Sequence, residues 1–368
     1  MKVAFVTNIR APYRILQFNE FAKINDIKFT AYYTHKESEN RKWESKKNIG
    51  YDEIYLGGFN LSEKYGYINK GIFNLVNNND VIIIGGYEQP TYIFISILCK
   101  LLKKKYIISF DGISTNRLSD CESKLKKTIK NIVIKNASFI LGNGEVSKIY
   151  FNEVFNYPIK KIYNQYLTVD GELINTLYKE KEKNRVEFRN KYGIKFNEKV
   201  LMYTGRLIDI KNLDSIIRAI STLKKLDITL VVVGGGDLED RLNQLAAELN
   251  IKIIITGFIS NQEELFKHYF LADAFILSSL YEPWGLVVNE AMFAGLPVIV
   301  SSICGCSLDL VKNNGYIINP YDLDDIKNKI NRLLYEDDID YMGRKSREII
   351  NEWTFENSRI NLEKILEN

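Results

Sequence analysis

Histidine and cysteine, which build most metal sites and disulfide frameworks, are scarce in this chain. Among 368 residues there are two histidines and four cysteines. The cysteines, Cys99, Cys121, Cys304 and Cys306, are too few and too scattered for a disulfide framework. The pair of Cys304 and Cys306 lacks the further nearby ligands that a four-ligand zinc site needs. We therefore expect reduced cysteines and no structural metal.

Long apolar runs are missing as well. No stretch approaches the roughly 18 residues that cross a bilayer as a helix, and the opening segment, Met1 to Asn8, lacks the long apolar core of a signal peptide. Hydrophobic residues make up 46% and charged residues 26% of the chain, which places it among ordinary globular proteins. A cytoplasmic protein is the expectation.

Positive charge is concentrated in the first half of the chain. The net charge is +4, but residues 1–170 carry 25 basic and 16 acidic residues, whereas residues 171–368 carry 25 and 30. Much of the excess lies in residues 103–105 and in the Lys-rich, partly apolar segment 124–135. Such a segment is either the solvated face of a helix or an amphipathic helix on an anionic membrane surface. Nucleic acid is not an expected partner, because no nucleic-acid-binding motif accompanies the lysines.

Short β-branched and aromatic runs alternate with helical segments along the whole chain. The alternation predicts parallel sheets with crossover helices, and the length predicts two domains. The expected fold is therefore α/β, with two doubly wound, Rossmann-like domains that face each other across a cleft. The predicted strands are Val3–Thr7, Phe29–Tyr33, Val81–Ile84, Tyr106–Phe110, Phe139–Leu141, Val200–Thr204, Thr229–Val233, Ile253–Thr256, Ala274–Leu277, Val298–Ser301 and Tyr316–Ile318.

A charged, core-free stretch, Lys179–Asn184, indicates that the domain boundary falls near residues 165–195. We place an N-terminal domain at residues 1–170 and a C-terminal domain at residues 171–351, followed by a final helix over about residues 352–368. Parallel sheets bind ligands beyond the carboxyl ends of their strands, so the cleft between the sheets is the expected site.

Two glutamates eight positions apart, Glu282 and Glu290, are the most informative feature of the sequence. Glu282 follows a predicted buried strand, and Glu290 stands a turn into an apolar helix. The start of that helix, at Gly285, Leu286 and Val287, presents unpaired amides and a partial positive charge, which suit a phosphate. Glu290 is costly among apolar neighbours unless a hydroxyl-rich ligand satisfies it. The alternative is an ordinary pair of exposed acids near a helix start.

Three segments resemble one known family, and they occur in the family's order. Residues 203–212 are similar to its Gly-Arg-Leu-x4-Lys element, residues 233–237 to its glycine turn, and residues 282–299 to its Glu-x7-Glu signature. The chain thus resembles the retaining, GT-B-fold glycosyltransferases of the large "glycosyl transferases group 1" family. The resemblance implies the two-domain fold, with the C-terminal helix packed back on the first domain.

The resemblance also implies a donor site for a UDP- or GDP-linked sugar in the C-terminal domain. Arg206 and Lys211 would neutralise the diphosphate, Glu290 would hold the ribose hydroxyls, and Glu282 would contact the sugar. Trp284 stands where the family often has Phe. The donor-binding candidates are Gly205, Arg206, Lys211, Gly234, Gly235, Phe258, Glu282, Trp284, Gly285, Leu286, Val287 and Glu290.

Acceptor contacts are expected from loops of the N-terminal domain, with Arg10, Tyr13, Gly86, Tyr87 and Asp111 as candidates. The loop after the first strand lacks the paired glycines of many relatives, and Asp111 stands where a histidine is expected. This aspartate either binds the donor sugar, accepts a proton or caps a turn. The catalytic candidates are Glu282, Arg206, Lys211 and Asp111.

Two Asp-x-Asp segments begin at Asp322 and Asp338. Both lie at predicted helix starts, where acids are favourable, and are interpreted as helix-start residues rather than metal ligands. We therefore expect neither a metal nor another cofactor.

The leading hypothesis is a metal-independent, retaining glycosyltransferase that acts on a glycan or lipid-linked acceptor in bacterial surface polysaccharide or glycoconjugate synthesis. Its expected location is the cytoplasm, with peripheral binding to the inner membrane face as one option. The alternatives are a sugar-nucleotide epimerase or phosphorylase of the same fold, and a non-catalytic nucleotide-sugar-binding protein. A dinucleotide oxidoreductase is not expected, because no spaced Gly-rich fingerprint follows the first strand.

Overall fold

Residues 1–35, 49–62, 66–119, 122–223 and 227–368 are described in the computed structural model of the chain, and they divide into two units. Unit 1 comprises residues 1–113, 117–167 and 354–368, and unit 2 comprises residues 114–116 and 168–353. The charged stretch Lys179–Asn184 is therefore not a linker between them. It leads into a helix of unit 2, and Asn184 is buried there.

Fifteen strands and fifteen α-helices are assigned among the described residues. The strands are β1 (Lys2–Thr7), β2 (Lys28–Tyr33), β3 (Asp52–Tyr55), β4 (Gly58–Ser62), β5 (Gly66–Asn69), β6 (Val81–Ile84), β7 (Lys105–Phe110), β8 (Phe139–Gly142), β9 (Ile162–Asn164), β10 (Lys199–Thr204), β11 (Ile228–Val233), β12 (Lys252–Ile255), β13 (Ala274–Leu277), β14 (Val298–Ser301) and β15 (Gly315–Ile318). The helices are α1 (Pro12–Phe21), α2 (Ile72–Asn78), α3 (Pro90–Leu101), α4 (Lys124–Asn136), α5 (Gly144–Ile149), α6 (Gly171–Tyr178), α7 (Lys181–Lys191), α8 (Leu213–Thr222), α9 (Glu239–Glu248), α10 (Gln262–Tyr269), α11 (Leu286–Phe293), α12 (Ser307–Leu310), α13 (Leu323–Tyr335), α14 (Ile339–Ile350) and α15 (Phe355–Glu367).

Unit 1 is built on a seven-stranded parallel sheet in the order β3-β2-β1-β6-β7-β8-β9. Two apolar clusters cover it. One holds Phe18 and Phe21 of α1 together with Leu362 and Ile365 of α15, and the other receives residues of α2, α3 and α4. The C-terminal helix α15 thus packs beside α1 in unit 1. The strands β4 and β5 form a separate antiparallel hairpin.

Unit 2 is built on a six-stranded parallel sheet in the order β12-β11-β10-β13-β14-β15. The chain builds outward from β10 through β11 to β12, and then returns to the other side of β10 to form β13. The direction of winding therefore reverses between β10 and β13. Such a reversal opens a crevice at the carboxyl ends of the two strands, where doubly wound sheets bind ligands.

All eleven predicted strands are present, and no end differs from the prediction by more than one residue. The α/β class with two Rossmann-like halves is confirmed. The predictions omitted β3, β9 and the hairpin of β4 and β5. These elements are short and polar or exposed, so they lack the apolar run that marks a buried parallel strand.

In the described part of the chain, no helix combines the length and apolarity that a bilayer crossing needs. The same residues contain no group of three or more His, Cys, Asp or Glu side chains placed to hold a metal ion. Cys99, Cys304 and Cys306 are free and buried, and Cys121 lies outside the described residues.

Candidate functional site

The predicted donor residues of unit 2 follow the carboxyl ends of neighbouring strands. Gly205, Arg206 and Lys211 come after β10, and Glu282 comes after β13. Since β10 and β13 pair side by side, their loops meet at the point where the winding reverses. Lys211 Nζ forms an ion pair with Glu282 Oε2, and each side chain is only 16% exposed. The ion pair therefore links the two loops across the reversal point.

Close backbone packing explains two of the glycines. Gly205 and Gly234 have φ values of 146° and 145°, a region that side chains rarely adopt. A Cβ atom on Gly234 would lie 2.0 Å from the carbonyl oxygen of Gly205. By contrast, a Cβ atom on Gly235 would come no closer than 3.4 Å to its nearest neighbour, the amide nitrogen of Phe258. The fold thus requires glycine at position 234, whereas position 235 has space for a Cβ atom.

Gly285 begins α11 with a φ of 100°. A Cβ atom here would lie 3.0 Å from Leu277 Cδ2. The first-turn amides of Leu286 and Val287 precede the regular hydrogen bonds of the helix, and the Val288 amide donates to the Gly285 carbonyl over 2.9 Å. This helix start follows the Glu282 loop directly, so it can offer amides to an anion beside Lys211.

Glu290 is partly buried and accepts a hydrogen bond of 2.5 Å from the hydroxyl of the fully buried Tyr269. Burial raises the pKa of Glu290 to about 7, although the hydrogen bond from Tyr269 opposes the shift. Burial and the neighbouring carboxylate also raise the pKa of Tyr269 well above its usual value, so that it remains a donor. A ligand hydroxyl at Glu290 would add a further hydrogen bond to this carboxylate, which has acceptor capacity beyond the bond from Tyr269.

The side chain of Trp284 points into unit 2. This side chain is only 3% exposed, its indole N–H donates to Asn289 Oδ1 over 3.0 Å, and its ring packs against Trp353, tilted by 36°, with centroids 4.7 Å apart. The indole is therefore part of the interior of unit 2. At this position only the backbone is available to contact a ligand.

Arg206 and Phe258 are the exposed members of the predicted set. Phe258 is 63% exposed, and the Arg206 side chain is also exposed, with no ion-pair partner in the described parts of the chain. The Arg206 carbonyl is fixed by a 3.1 Å hydrogen bond from the Tyr203 hydroxyl. A fixed backbone with an exposed guanidinium leaves the cation available to an anionic ligand.

Cys304 and Cys306 lie against the loop that contains Glu282 and Trp284. The Gly305 amide donates to the Glu282 carbonyl over 3.0 Å, and the Cys306 amide donates to the Trp284 carbonyl over 3.3 Å. Burial, followed by the nearby negative charge, raises the pKa of both thiols well above the usual value. The cysteines therefore remain protonated and support the loop by packing.

The candidate acceptor residues of unit 1 centre on Asp111, which follows β7. Its carboxylate forms an ion pair with Arg14 and accepts hydrogen bonds from the Tyr13 hydroxyl over 3.1 Å and from Gln165 Nε2 over 3.2 Å. The Asp111 side chain is 38% exposed, whereas that of Arg14 is 3% exposed. Asp111 is thus more than a turn residue, because it provides the carboxylate for a buried cation.

The other acceptor candidates have partners other than Asp111. Arg10 Nε forms a 2.9 Å ion pair with Glu53. Tyr87 is fully buried and stacks on Phe110 with ring centroids 4.8 Å apart, so its side chain belongs to the apolar core. The preceding Gly86 has a φ of 139°.

Sequence reasoning missed three partners of the candidate residues: Arg14, Gln165 and Tyr269. Each is buried, but its partner lies 97, 54 or 21 positions away in the sequence. Spacing rules do not connect such distant residues.

The two Asp-x-Asp segments are confirmed as helix starts. The Asp322 side chain accepts from the amides of Asp324 and Asp325 at the start of α13. The Asp338 side chain accepts from the Tyr341 amide at the start of α14. Both are capping interactions.

Together, the parallel sheet, the reversal of winding and the glycine turns define unit 2 as a Rossmann-like domain. Residues 184–352 match the model of the family described as glycosyl transferases group 1. The matched residues lie within unit 2 and make up less than half of the chain.

Curated relatives match parts of the chain. An uncharacterized glycosyltransferase of Methanocaldococcus jannaschii is 35% identical over 189 residues, which are 49% of this chain and 47% of that protein. The alpha-monoglucosyldiacylglycerol synthase of Streptococcus pneumoniae is 37% identical over 123 residues, covering 32% of this chain and 28% of that protein. The chain thus spans about half or less of the length of the curated relatives it matches.

Solved structures match the whole chain. The Anabaena protein HepE in complex with UDP superposes with a TM-score of 0.77 at 16% identity, and the match covers 100% of both chains. The apo form of the lipopolysaccharide outer core galactosyltransferase WaaB gives a TM-score of 0.68 at 15% identity, covering 100% of this chain and 99% of that chain. These likenesses establish the GT-B fold.

Proposed function

We propose that the protein is a retaining glycosyltransferase that moves a sugar from a nucleotide-diphosphate sugar to a glycan or a lipid-linked saccharide. The observation that carries the proposal is the Lys211–Glu282 ion pair beside the amino end of α11, at the reversal point of the unit 2 sheet. A cation, a row of helix-start amides and a carboxylate at one point suit a phosphate that is joined to a polyhydroxyl group.

The donor diphosphate is proposed to replace Glu282 as the partner of Lys211. The released Glu282 carboxylate then accepts a hydrogen bond from a hydroxyl of the donor sugar. Arg206, exposed on the loop after β10, supplies the second positive charge. Two cations on the departing diphosphate stabilise the charge that develops there, and we therefore expect no metal requirement.

The proposed transfer breaks the bond between the sugar C1 and the diphosphate oxygen and forms a bond from C1 to the acceptor oxygen on the same face. The proton of the acceptor hydroxyl passes to the departing phosphate oxygen. No protein nucleophile is needed, so Glu282 and Lys211 act by binding and by stabilising charge. Asp111 is proposed to orient a sugar or acceptor hydroxyl, with Arg14 and Tyr13 holding its carboxylate in place.

Glu290 is proposed to bind the ribose of the nucleotide. Its carboxylate accepts a hydrogen bond from Tyr269 and has further acceptor capacity for a vicinal diol. Phe258 is exposed beside the glycine turn of Gly234 and Gly235, and its ring is proposed to flank the base. A structure of the similarly folded HepE contains UDP, which supports a nucleotide in this fold.

The acceptor is proposed to be presented at the inner membrane face, in bacterial surface polysaccharide or glycoconjugate synthesis. The positive charge of residues 1–170 supports an anionic surface as a partner. Two similar proteins point to glycoconjugate chemistry by name, the lipopolysaccharide galactosyltransferase and the monoglucosyldiacylglycerol synthase.

Turnover tests the proposal most simply. The purified chain is incubated with UDP- and GDP-sugars, with and without a membrane extract as the acceptor source, and nucleoside diphosphate release is measured together with sugar incorporation. We expect one nucleotide to support release and incorporation. Lys211→Ala and Glu290→Ala should each reduce the rate by at least about tenfold, because each removes a charge-assisted contact.

Lys252→Ala is the matched control, because Lys252 also forms an ion pair, with Glu198 over 2.7 Å, at the opposite, amino-terminal end of a unit 2 strand. It should retain the parent rate. Unchanged turnover in both site variants would contradict the proposed site. Product formation without any acceptor would favour an epimerase, and donor binding without incorporation would favour a non-catalytic binding protein.

A further inference from the structure

The outer face of α3 is apolar although nothing in unit 1 covers it among the described residues. Phe94 is 54%, Ile97 41% and Leu101 72% exposed, and their spacing of three and four residues places them on one side of the helix. Lys100 is the one charged residue in α3. A helix that is apolar on its inner and outer faces is stable only when something apolar covers it.

A second apolar stripe lies on α4, which packs beside α3. Leu125 is 72%, Ile129 38% and Ile132 49% exposed, again with helical spacing. With about 100° of rotation for each residue, Lys124 and Lys135 project to one side of this stripe and Lys126 to the other. Lysines that flank an apolar stripe are typical of helices at a membrane surface.

The neighbouring elements continue the pattern. Phe59 and Ile68 are opposite each other in the hairpin of β4 and β5 and are 65% and 46% exposed. The hairpin packs on α3 through β5, and α2 packs on α3 with its Phe73 57% exposed. Helices α2, α3 and α4 contain six lysines and no acidic residue.

Unit 2 provides a contrast within the same chain. The exposed positions of α9 include Asp240, Arg241, Gln244 and Glu248, as expected for a helix that faces water. Apolar exposure on the α2, α3 and α4 layer is therefore a property of that layer rather than of every helix in the protein.

We infer that the α3–α4 face, defined by Phe94, Ile97, Leu101, Leu125, Ile129 and Ile132, inserts into the interface of an anionic lipid bilayer. The inference deepens the proposed function, since a membrane-docked enzyme meets its acceptor at the lipid surface. It goes beyond attraction by the lysines of α4 alone, because the apolar side chains of two helices supply a contribution that salt does not screen.

Charge favours a bilayer over a second copy of the chain. In a symmetric dimer the same face meets itself, and the lysines of α4 would oppose lysines with no acid on these helices to pair with them. At an anionic bilayer the same lysines meet lipid phosphates while the leucine and isoleucine side chains enter the acyl boundary.

Vesicle flotation of the full chain tests the inference. Vesicles of phosphatidylcholine alone are compared with vesicles that contain phosphatidylglycerol, in dilute buffer and in concentrated NaCl. We expect binding to the anionic vesicles that concentrated NaCl weakens but does not abolish. The double variant Leu101→Gln/Leu125→Gln should bind at least about tenfold more weakly at both salt concentrations. Lys126→Gln should lose about fivefold only in dilute buffer.

Phe196→Gln is the matched control, because Phe196 is 91% exposed but belongs to unit 2. It should bind vesicles like the parent chain. Three results would overturn the inference. The first is that the chain binds neither kind of vesicle, and the second is that concentrated NaCl abolishes binding completely. The third is concentration-dependent dimerisation that the double variant abolishes. Stabilisation by UDP or GDP should be unchanged in the double variant, so failure of membrane docking and failure of the proposed donor site give different results.

Discussion

The hydroxyl of Tyr269 lies 2.5 Å from the carboxylate of Glu290 and donates a hydrogen bond to it. Glu290 stands in the second turn of α11, and Tyr269 ends α10. The contact keeps one oxygen of a desolvated carboxylate satisfied and leaves its remaining acceptor capacity for a ligand. The protonation of Glu290 therefore responds both to pH and to ligand binding.

The pH dependence of nucleotide binding follows from the raised pKa of Glu290, about 7. A diol donates best to the ionised carboxylate. Below pH 7 most Glu290 side chains are protonated and must first lose the proton before they can bind the diol in this way. We expect the affinity for the preferred nucleoside diphosphate to fall by up to about tenfold for each pH unit below 7. Calorimetric titration between pH 5.5 and 8 measures it, and Glu290→Gln should give a weaker but pH-independent affinity.

The same shift predicts how stability depends on pH. Glu290 has a higher pKa in the folded chain than its ordinary value of 4.5, so the folded state holds the proton more tightly. The resulting destabilisation is absent below pH 4.5, grows from pH 4.5 to 7 and is complete above pH 7. It amounts to at most about 3 kcal/mol, and Glu290→Gln should remove it. Urea unfolding followed by the fluorescence of Trp284 and Trp353, in a Trp43→Phe background, reports on unit 2.

Neighbouring glycines should respond differently to alanine. Gly234→Ala places a Cβ atom 2.0 Å from a backbone oxygen at a φ of 145°, whereas Gly235→Ala meets nothing closer than 3.4 Å. We expect Gly234→Ala to lower the melting temperature by at least several degrees and Gly235→Ala to leave it nearly unchanged. Differential scanning calorimetry compares them. Equal melting temperatures would contradict the close approach of the two loops.

Asp111 should contribute to the stability of unit 1. Asp111→Asn leaves the buried Arg14 without its charged partner, which should cost about 1–2 kcal/mol, since Asp111 itself is partly exposed. Faster hydrogen exchange in α1 measures the effect. Asp52→Asn is the control, because the Lys28–Asp52 pair is exposed on both sides and should contribute little. Unchanged exchange in Asp111→Asn would show that Arg14 does not depend on this carboxylate.

The strands of both sheets could be predicted because buried parallel strands are short, nearly continuous apolar runs, as in Val81–Ile84 and Ala274–Leu277. The hairpin of β4 and β5 has no buried face to mark it. The charged stretch Lys179–Asn184 looked like a segment without a buried side, but it is not. A helix on the surface of unit 2 can begin with charged residues and still bury Asn184.

The residues of the candidate site could be found from the sequence where they stand in short segments with a characteristic spacing. Lys211, Gly285 and Glu290 stand in recognisable segments. The ion pair of Lys211 with Glu282 joins the segment of Lys211 to the segment that holds Gly285 and Glu290. The inward position of Trp284 was not predictable, because its partner Trp353 is distant in sequence. Local pattern shows which residues follow a strand but not which way each side chain turns.

Nucleotide binding by the Lys211→Ala variant tests the central claim most directly. UDP and GDP are titrated calorimetrically into the parent chain, Lys211→Ala and the control Lys252→Ala, after circular dichroism has shown that all three are folded. The account predicts that the parent and Lys252→Ala bind one of the two nucleotides with equal affinity, and that Lys211→Ala binds it about 10- to 100-fold more weakly. Equal affinity in all three proteins, or no binding of either nucleotide to the parent chain, would contradict it.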